Sequence, residues 1–209
     1  MRKITWKIIY FFWPKLWIYQ RVHQYFVLFF KKKNVPKVFC IGYPKTGTSS
    51  LYKALKILGY RTVRLFDGKT WYTGDREKYI SNIKNSKYDA FVDYPMGKDI
   101  LYQEINKAIP NSKFILTLRD KESLEKSHKN YYKNAPFKYA MLKGLQLELS
   151  GPTERKKQVI EYFKDKPSQL LVMNILQGDE WDKLCNFLNK PIPNKRFPHK
   201  NKGIYKDNR

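Results

Sequence analysis

Acidic residues are scarce. There are 18 Asp and Glu against 42 Lys and Arg, which leaves a formal net charge of +24. Such an excess favours anionic partners: nucleotides, nucleic acid, acidic polysaccharide or an anionic membrane surface. Lys, Asn, Ile and Tyr are all abundant, and an AT-rich genome produces the same bias, so charge alone selects no partner. Cysteine is scarcer still. Cys40 and Cys185 lie in apolar surroundings, and neither has a Cys or His nearby at zinc-ligand spacing. Both read as buried free thiols, which suits a reducing compartment, and no metal site is implied. No Asn-x-Ser/Thr acceptor occurs, which argues against a secreted glycoprotein. No uninterrupted run approaches the roughly 20 apolar residues of a membrane span. No small-residue cleavage site follows the apolar part of the N-terminus, so a signal peptide is a poor match. A cytoplasmic location is expected.

What is present divides into two parts. Residues 1–33 are crowded with aromatics and bases, from Trp6 to Trp13 and from Tyr25 to Phe30, ending in Lys31-Lys32-Lys33. This arm suits a segment lying in a membrane interface on the inner face, or a helical arm packed on the domain or on a second subunit. Residues 34–209 alternate strand and helix patterns, which predicts a single α/β domain with a central parallel sheet flanked by helices. Strands are expected at 38–42, 60–66, 90–92, 114–118 and 170–174. Helices are expected at 48–58, 98–109, 121–132, 152–163 and 180–188. The stretch 134–151 is ambiguous. Loops are expected at 67–89 and 133–151, which carry Lys69, Trp71, Tyr72, Lys133, Lys138 and Tyr139.

The strongest chemical signal is Gly42-Tyr43-Pro44-Lys45-Thr46-Gly47-Thr48-Ser49-Ser50-Leu51, between the first strand and its helix. Small residues at a strand–loop–helix turn let backbone N–H groups converge on an anion at a helix N-terminus. Lys45 adds charge, and Thr46, Thr48, Ser49 and Ser50 add hydroxyls. A Walker A loop places Lys after its second Gly, whereas Lys45 precedes Gly47. A second signal is Arg119, at the end of the apolar run 114–118, with Ser127 two turns into the next helix. Ligands of α/β sheets bind at the carboxyl ends of strands, and an Arg there offers a forked, charge-assisted contact.

The pattern Pro-Lys-Thr-Gly-Thr-Ser-Ser-Leu after a short strand resembles the 5′-phosphosulfate loop, P-loop-like in form, of the sulfotransferase superfamily. The Arg119/Ser127 pair resembles that family's 3′-phosphate contact. The segment Leu170–Leu188, then Pro191-Ile192-Pro193 and Phe197-Pro198-His199-Lys200-Asn201, is similar to the closing segment of its bacterial-type branch. The resemblance touches most of residues 37–203. Lys121 departs from the usual Pro, and Leu51 stands where cytosolic members often carry an aromatic for the adenine.

The resemblance implies 3′-phosphoadenylyl sulfate (PAPS) as donor, its bisphosphate (PAP) as product, and no metal. The acceptor would be a glycan or a small molecule carrying a hydroxyl or amine. Nucleotide contacts are expected from Pro44, Lys45, Thr46, Gly47, Thr48, Ser49, Ser50, Arg119 and Ser127, and from Lys200, Lys202 and Gly203 in a closing loop. Lys45 would also stabilise the leaving phosphate. Asp93, in Asp93-Tyr94-Pro95, stands where cytosolic members place a general-base His, and is the candidate proton acceptor. Asp93 could equally cap its turn or orient Lys45. His128 and Asp67 are the back-ups, and His128 is expected at the surface. A P-loop small-molecule kinase would need a Walker A loop and a carboxylate for Mg²⁺. A nucleic-acid-binding protein would need a recognised binding motif. The sequence shows none of these.

Overall fold

A computed structural model of the chain describes residues 36–64, 75–93, 101–134 and 152–200. Five strands form one sheet: β1 (Val38–Cys40), β2 (Thr62–Val63), β3 (Ala90–Phe91), β4 (Lys113–Thr117) and β5 (Leu170–Met173). All pairs are parallel and the order is β2-β3-β1-β4-β5. Among the described residues six α-helices accompany them: α1 (Thr48–Ile57), α2 (Arg76–Asn85), α3 (Leu101–Ala108), α4 (Lys121–Asn134), α5 (Pro152–Phe163) and α6 (Trp181–Leu188). The α/β class and its central parallel sheet are as the sequence predicts. The N-terminal arm and residues 135–151 lie outside the described residues. Among the described residues, no helix is long and apolar enough to cross a membrane.

Side chains alternate across a strand, and β1 shows the result. Phe39 and Ile41 enter one core, Val38 and Cys40 the other, and all four are fully buried. The first core is completed by Tyr79 and Ile83 of α2, Leu101, Tyr102 and Ile105 of α3, and Val159 and Phe163 of α5. A run of rings crosses it: Phe39 lies 5.2 Å from Phe91 and 5.4 Å from Phe114, and Phe114 lies 4.9 Å from Phe163. Each buried Phe contributes roughly 1.5–3 kcal/mol. The second core takes Leu51, Ala54 and Leu55 of α1 and Trp181, Leu184 and Cys185 of α6. Helices thus cover both faces of the sheet.

One expectation fails. The sequence predicts a loop over 67–89, yet 76–85 is the helix α2. Asp75 caps it, its carboxylate accepting from the Lys78 amide at 3.0 Å. Only two side chains, Tyr79 and Ile83, four residues apart, are buried from it. That is too sparse a stripe to show as helical periodicity. The capping Asp was the available signal.

The strand order has a switch point. The chain goes from β1 outward to β2, returns to β3, then crosses β1 to reach β4. Connections from the carboxyl ends of the neighbouring strands β1 and β4 therefore run in opposite directions, and the crevice so formed is where open α/β sheets hold ligands. Residues 42–47 emerge there.

Two tests follow from this packing. Burial pushes the Cys40 thiol from 9.0 up to about 12. A buried thiol that keeps its proton while an exposed one loses it favours the fold below 9.0. That contribution is lost as pH rises from 9.0 toward about 12. Iodoacetamide at pH 8 should leave Cys40 unmodified in the folded protein and alkylate it in denaturant, as read by mass spectrometry. The second test is Gly42→Ala. A Cβ at Gly42 would lie 1.9 Å from Thr117 Oγ1 and 2.9 Å from its backbone N. Such overpacking costs roughly 1–3 kcal/mol, so urea unfolding should show a clear loss. An unchanged midpoint would contradict the close approach of the two strand ends.

Candidate active site

Strand β1 ends against β4, and the loop after it is held by hydroxyls. Thr46 Oγ1 lies 2.5 Å from the Tyr43 carbonyl, to which it donates, and 2.7 Å from Thr117 Oγ1. Thr46 is almost fully buried, so its hydroxyl shapes the loop from within. Gly47 is left-handed, with φ 106°, and a Cβ there would meet Ile175 at 3.1 Å. Lys45 is also left-handed, with φ 70°. For a residue with a side chain this is a strained conformation, and strain of this kind gathers at functional sites.

Helix α1 begins immediately after Gly47. No side chain caps it and its first turn has no acidic residue. The leading N–H groups of a helix have no acceptor inside it. The N-terminus of α1 thus points partial positive charge into the crevice, beside Lys45. Thr48 and Ser50 are buried and Ser49 is half-buried. Ser50 Oγ accepts from the Lys200 amide at 3.0 Å, so this hydroxyl holds the closing segment against α1.

The carboxyl end of β4 supplies Arg119. Its Nη1 donates to the Lys45 carbonyl at 3.1 Å and its Nε to Ser123 Oγ at 2.7 Å. Burial pulls this guanidinium below its ordinary value, opposed by Asp120, but arginine keeps its charge in proteins. Ser123 and Ser127 are four residues apart on α4 and so share a face. Ser127, half-buried, therefore sits one turn beyond the serine that fixes Arg119. Sequence reading missed Ser123, whose spacing from Arg119 was the available clue.

His128 differs from expectation. It is half-buried, its Nε2 lies 3.2 Å from the Pro44 carbonyl, and its ring stacks on Tyr43 at 5.9 Å. Burial lowers its affinity for a proton, and the nearby charges of Lys45 and Arg119 lower it further. The imidazole is neutral at neutral pH and belongs to the wall of the loop. Its hydrogen bond to Pro44 reaches across 84 positions of sequence, which no local pattern reveals.

Asp93 follows β3, beside β1, with φ 73°. Its Oδ2 accepts from Arg64 Nε at 2.5 Å, and Arg64 Nη2 donates to Ser49 Oγ at 3.0 Å. Arg64 had no signal in the sequence. Arg155 of α5 is also new. It is 2% exposed, reaches the Ile41 carbonyl at 3.4 Å and lies over the Tyr102 ring at 5.5 Å. It thereby places a buried positive charge beneath the start of the loop.

The closing segment docks as a unit. Trp181 Nε1 donates to the Lys195 carbonyl at 2.6 Å, Phe197 packs on Trp181 at 4.9 Å, and His199 Nε2 lies 2.7 Å from Glu180 Oε1. Lys200 follows, with its side chain exposed. Lys202, Gly203 and Asp67 lie outside the described residues, as do Lys69, Trp71, Tyr72, Lys138 and Tyr139. Among the described residues no group of three or more His, Cys, Asp or Glu could hold a metal ion.

The structure therefore brings the loop 42–50, Arg119 and Asp93 to one end of the sheet, from three neighbouring strands. "Ava biosynthesis cluster protein M" of Aspergillus versicolor is 26% identical over 211 residues, covering 78% of this chain and 80% of that protein. The model of the sulfotransferase domain family matches residues 37–152 and 149–204. With its loop, its strand order and most of its length inside that match, the chain belongs to the sulfotransferase domain family.

Proposed function

We propose that the protein transfers a sulfuryl group from PAPS to a hydroxyl or amine of a small-molecule or glycan acceptor. The observation that carries this reading is the Arg119–Lys45 contact. A guanidinium at the end of β4 is tied to the backbone of an uncapped, acid-free helix entry. Two anionic groups of one nucleotide suit two positive features this close together.

The residues fit such a donor. The N–H groups opening α1, with Lys45, form a cradle for a 5′-phosphosulfate. Gly42 and Gly47 let Thr117 and Ile175 approach the loop closely, which fixes its path around such a group. Arg119, held by Ser123, and Ser127 on the same helix face would receive the 3′-phosphate. Lys200, with Lys202 and Gly203, would close over it. As the bond between acceptor oxygen or nitrogen and sulfur forms, the bond from sulfur to the 5′-phosphate breaks. The electron pair leaves on the phosphate, where Lys45 offsets the charge. The acceptor's proton passes to Asp93. The excess of +24 suits an anionic donor, and the basic, aromatic residues 1–33 would add contact with an anionic membrane surface.

Adenosine 3′,5′-bisphosphate should raise the melting temperature without magnesium. Mg²⁺-dependent stabilisation by ATP, with no response to the bisphosphate, would overturn the reading. Arg119→Ala should weaken the bisphosphate far more than 5′-AMP. A hydrogen bond to a charged group contributes about 1.5–3 kcal/mol, which is tenfold or more in affinity by calorimetry. Equal losses for both nucleotides would remove Arg119 from the 3′-phosphate.

A further inference from the structure

Arg64 leaves the carboxyl end of β2, two strands from β1, and its guanidinium touches two parts of the site together. Nε engages Asp93 Oδ2 and Nη2 engages Ser49 Oγ. The group lies over the Tyr52 ring at 5.1 Å, and Tyr52 is three residues beyond Ser49 on α1. The Arg64 side chain is 37% exposed and that of Asp93 20%. The cluster sits at the carboxyl end of the sheet and is open to solvent, unlike the Arg61–Asp89 pair at the other end, exposed only 10% and 4%.

A guanidinium has donors and no acceptor, whereas a hydroxyl has both. Ser49 Oγ must accept from Arg64, so its own hydrogen is available to another group. Ser49 stands in the first turn of α1, where the backbone N–H groups point into the crevice. On the other side, Arg64 occupies Asp93 Oδ2 and leaves Oδ1. The left-handed backbone at Asp93 fixes the direction of that carboxylate.

We propose that Arg64 is a positioning residue for sulfuryl transfer: it turns the Ser49 hydroxyl into a donor toward the phosphosulfate and presents Asp93 Oδ1 to the acceptor's proton. The inference rests on the donor reading above. One planar fork holds both the group that grips the donor and the group that receives the proton, which sets their spacing. Lysine cannot do this, because a single ammonium keeps the charge but loses the fork.

The test is a pair of double-mutant cycles. Calorimetry with adenosine 3′,5′-bisphosphate would compare wild type, Arg64→Lys, Ser49→Ala and the double variant. Each single change should weaken binding about three- to tenfold, and the double should stay within about twofold of the weaker single. Release of sulfate from PAPS into water would be followed for Arg64→Lys, Asp93→Asn and their double. Arg64→Lys should slow release about tenfold or more in the wild-type background and have little effect beside Asp93→Asn. Melting temperatures control for folding, with Arg64→Gln as a second variant if Arg64→Lys is unstable. A merely structural role would lower the melting temperature and leave both cycles multiplicative; that result, or unchanged affinity and release, would overturn the inference. If wild type binds no bisphosphate, the donor reading fails and takes this one with it. If wild type binds and the cycles multiply, only the role of Arg64 falls.

Discussion

The near-contact of Gly42 and Thr117 is the constraint on which the site depends. With no Cβ at Gly42, the end of β1 lies directly against β4. Thr117 then reaches Thr46 across the gap, and their shared hydrogen bond pins the loop to the neighbouring strand. Arg119, two residues further, is thereby brought within reach of the Lys45 carbonyl. His128, on the helix that follows, meets the Pro44 carbonyl. Two successive carbonyls of the loop are thus held from the β4–α4 side. A trans peptide points its N–H opposite to its C=O, so the Pro44–Lys45 unit directs its amide away from His128.

The two ends of the sheet treat charge differently. At the amino end, Asp89 accepts three hydrogen bonds from Arg61, two from its guanidinium and one from its backbone. Lys37 donates to the carbonyls of Tyr88 and Ser86. These are satisfied, largely buried contacts that hold strand starts together. At the carboxyl end, Arg119 donates to the Lys45 carbonyl and Ser123 Oγ, Arg155 to the Ile41 carbonyl, and Arg64 pairs with Asp93. Several cationic side chains thus gather at this end, which favours an anionic ligand.

The sheet was legible because its strands are short apolar runs buried on both faces, and the loop because its glycines, lysine and hydroxyls lie consecutively. Arg119 was legible from its place at the end of such a run. Arg64 was not, because its meaning lies in a pair of side chains 15 and 29 positions away. Arg155 was hidden in a helix whose other bases are exposed; only the tertiary packing separates it from Lys156 and Lys157. The hydroxyls of the loop looked equivalent in sequence, yet they divide. Thr46, in the loop before the helix, faces the sheet; Ser49 and Ser50 point apart, toward Arg64 and the closing segment, because a helix turns each successive residue through about 100°.

The Ser50–Lys200 hydrogen bond joins positions 150 residues apart. A ribosome delivers Ser50 long before Lys200, and β4 must likewise wait for β5, since Phe114 pairs with Leu170. The crevice is therefore completed only after residue 200 has been made. Contacts this distant in sequence form slowly and late. Until they do, a nascent chain carries a positive, uncapped helix end with no strap across it, open to whatever polyanion lies nearby. Any anionic ligand held at the start of α1 would then favour the conformation in which the segment up to Lys200 has closed on Ser50.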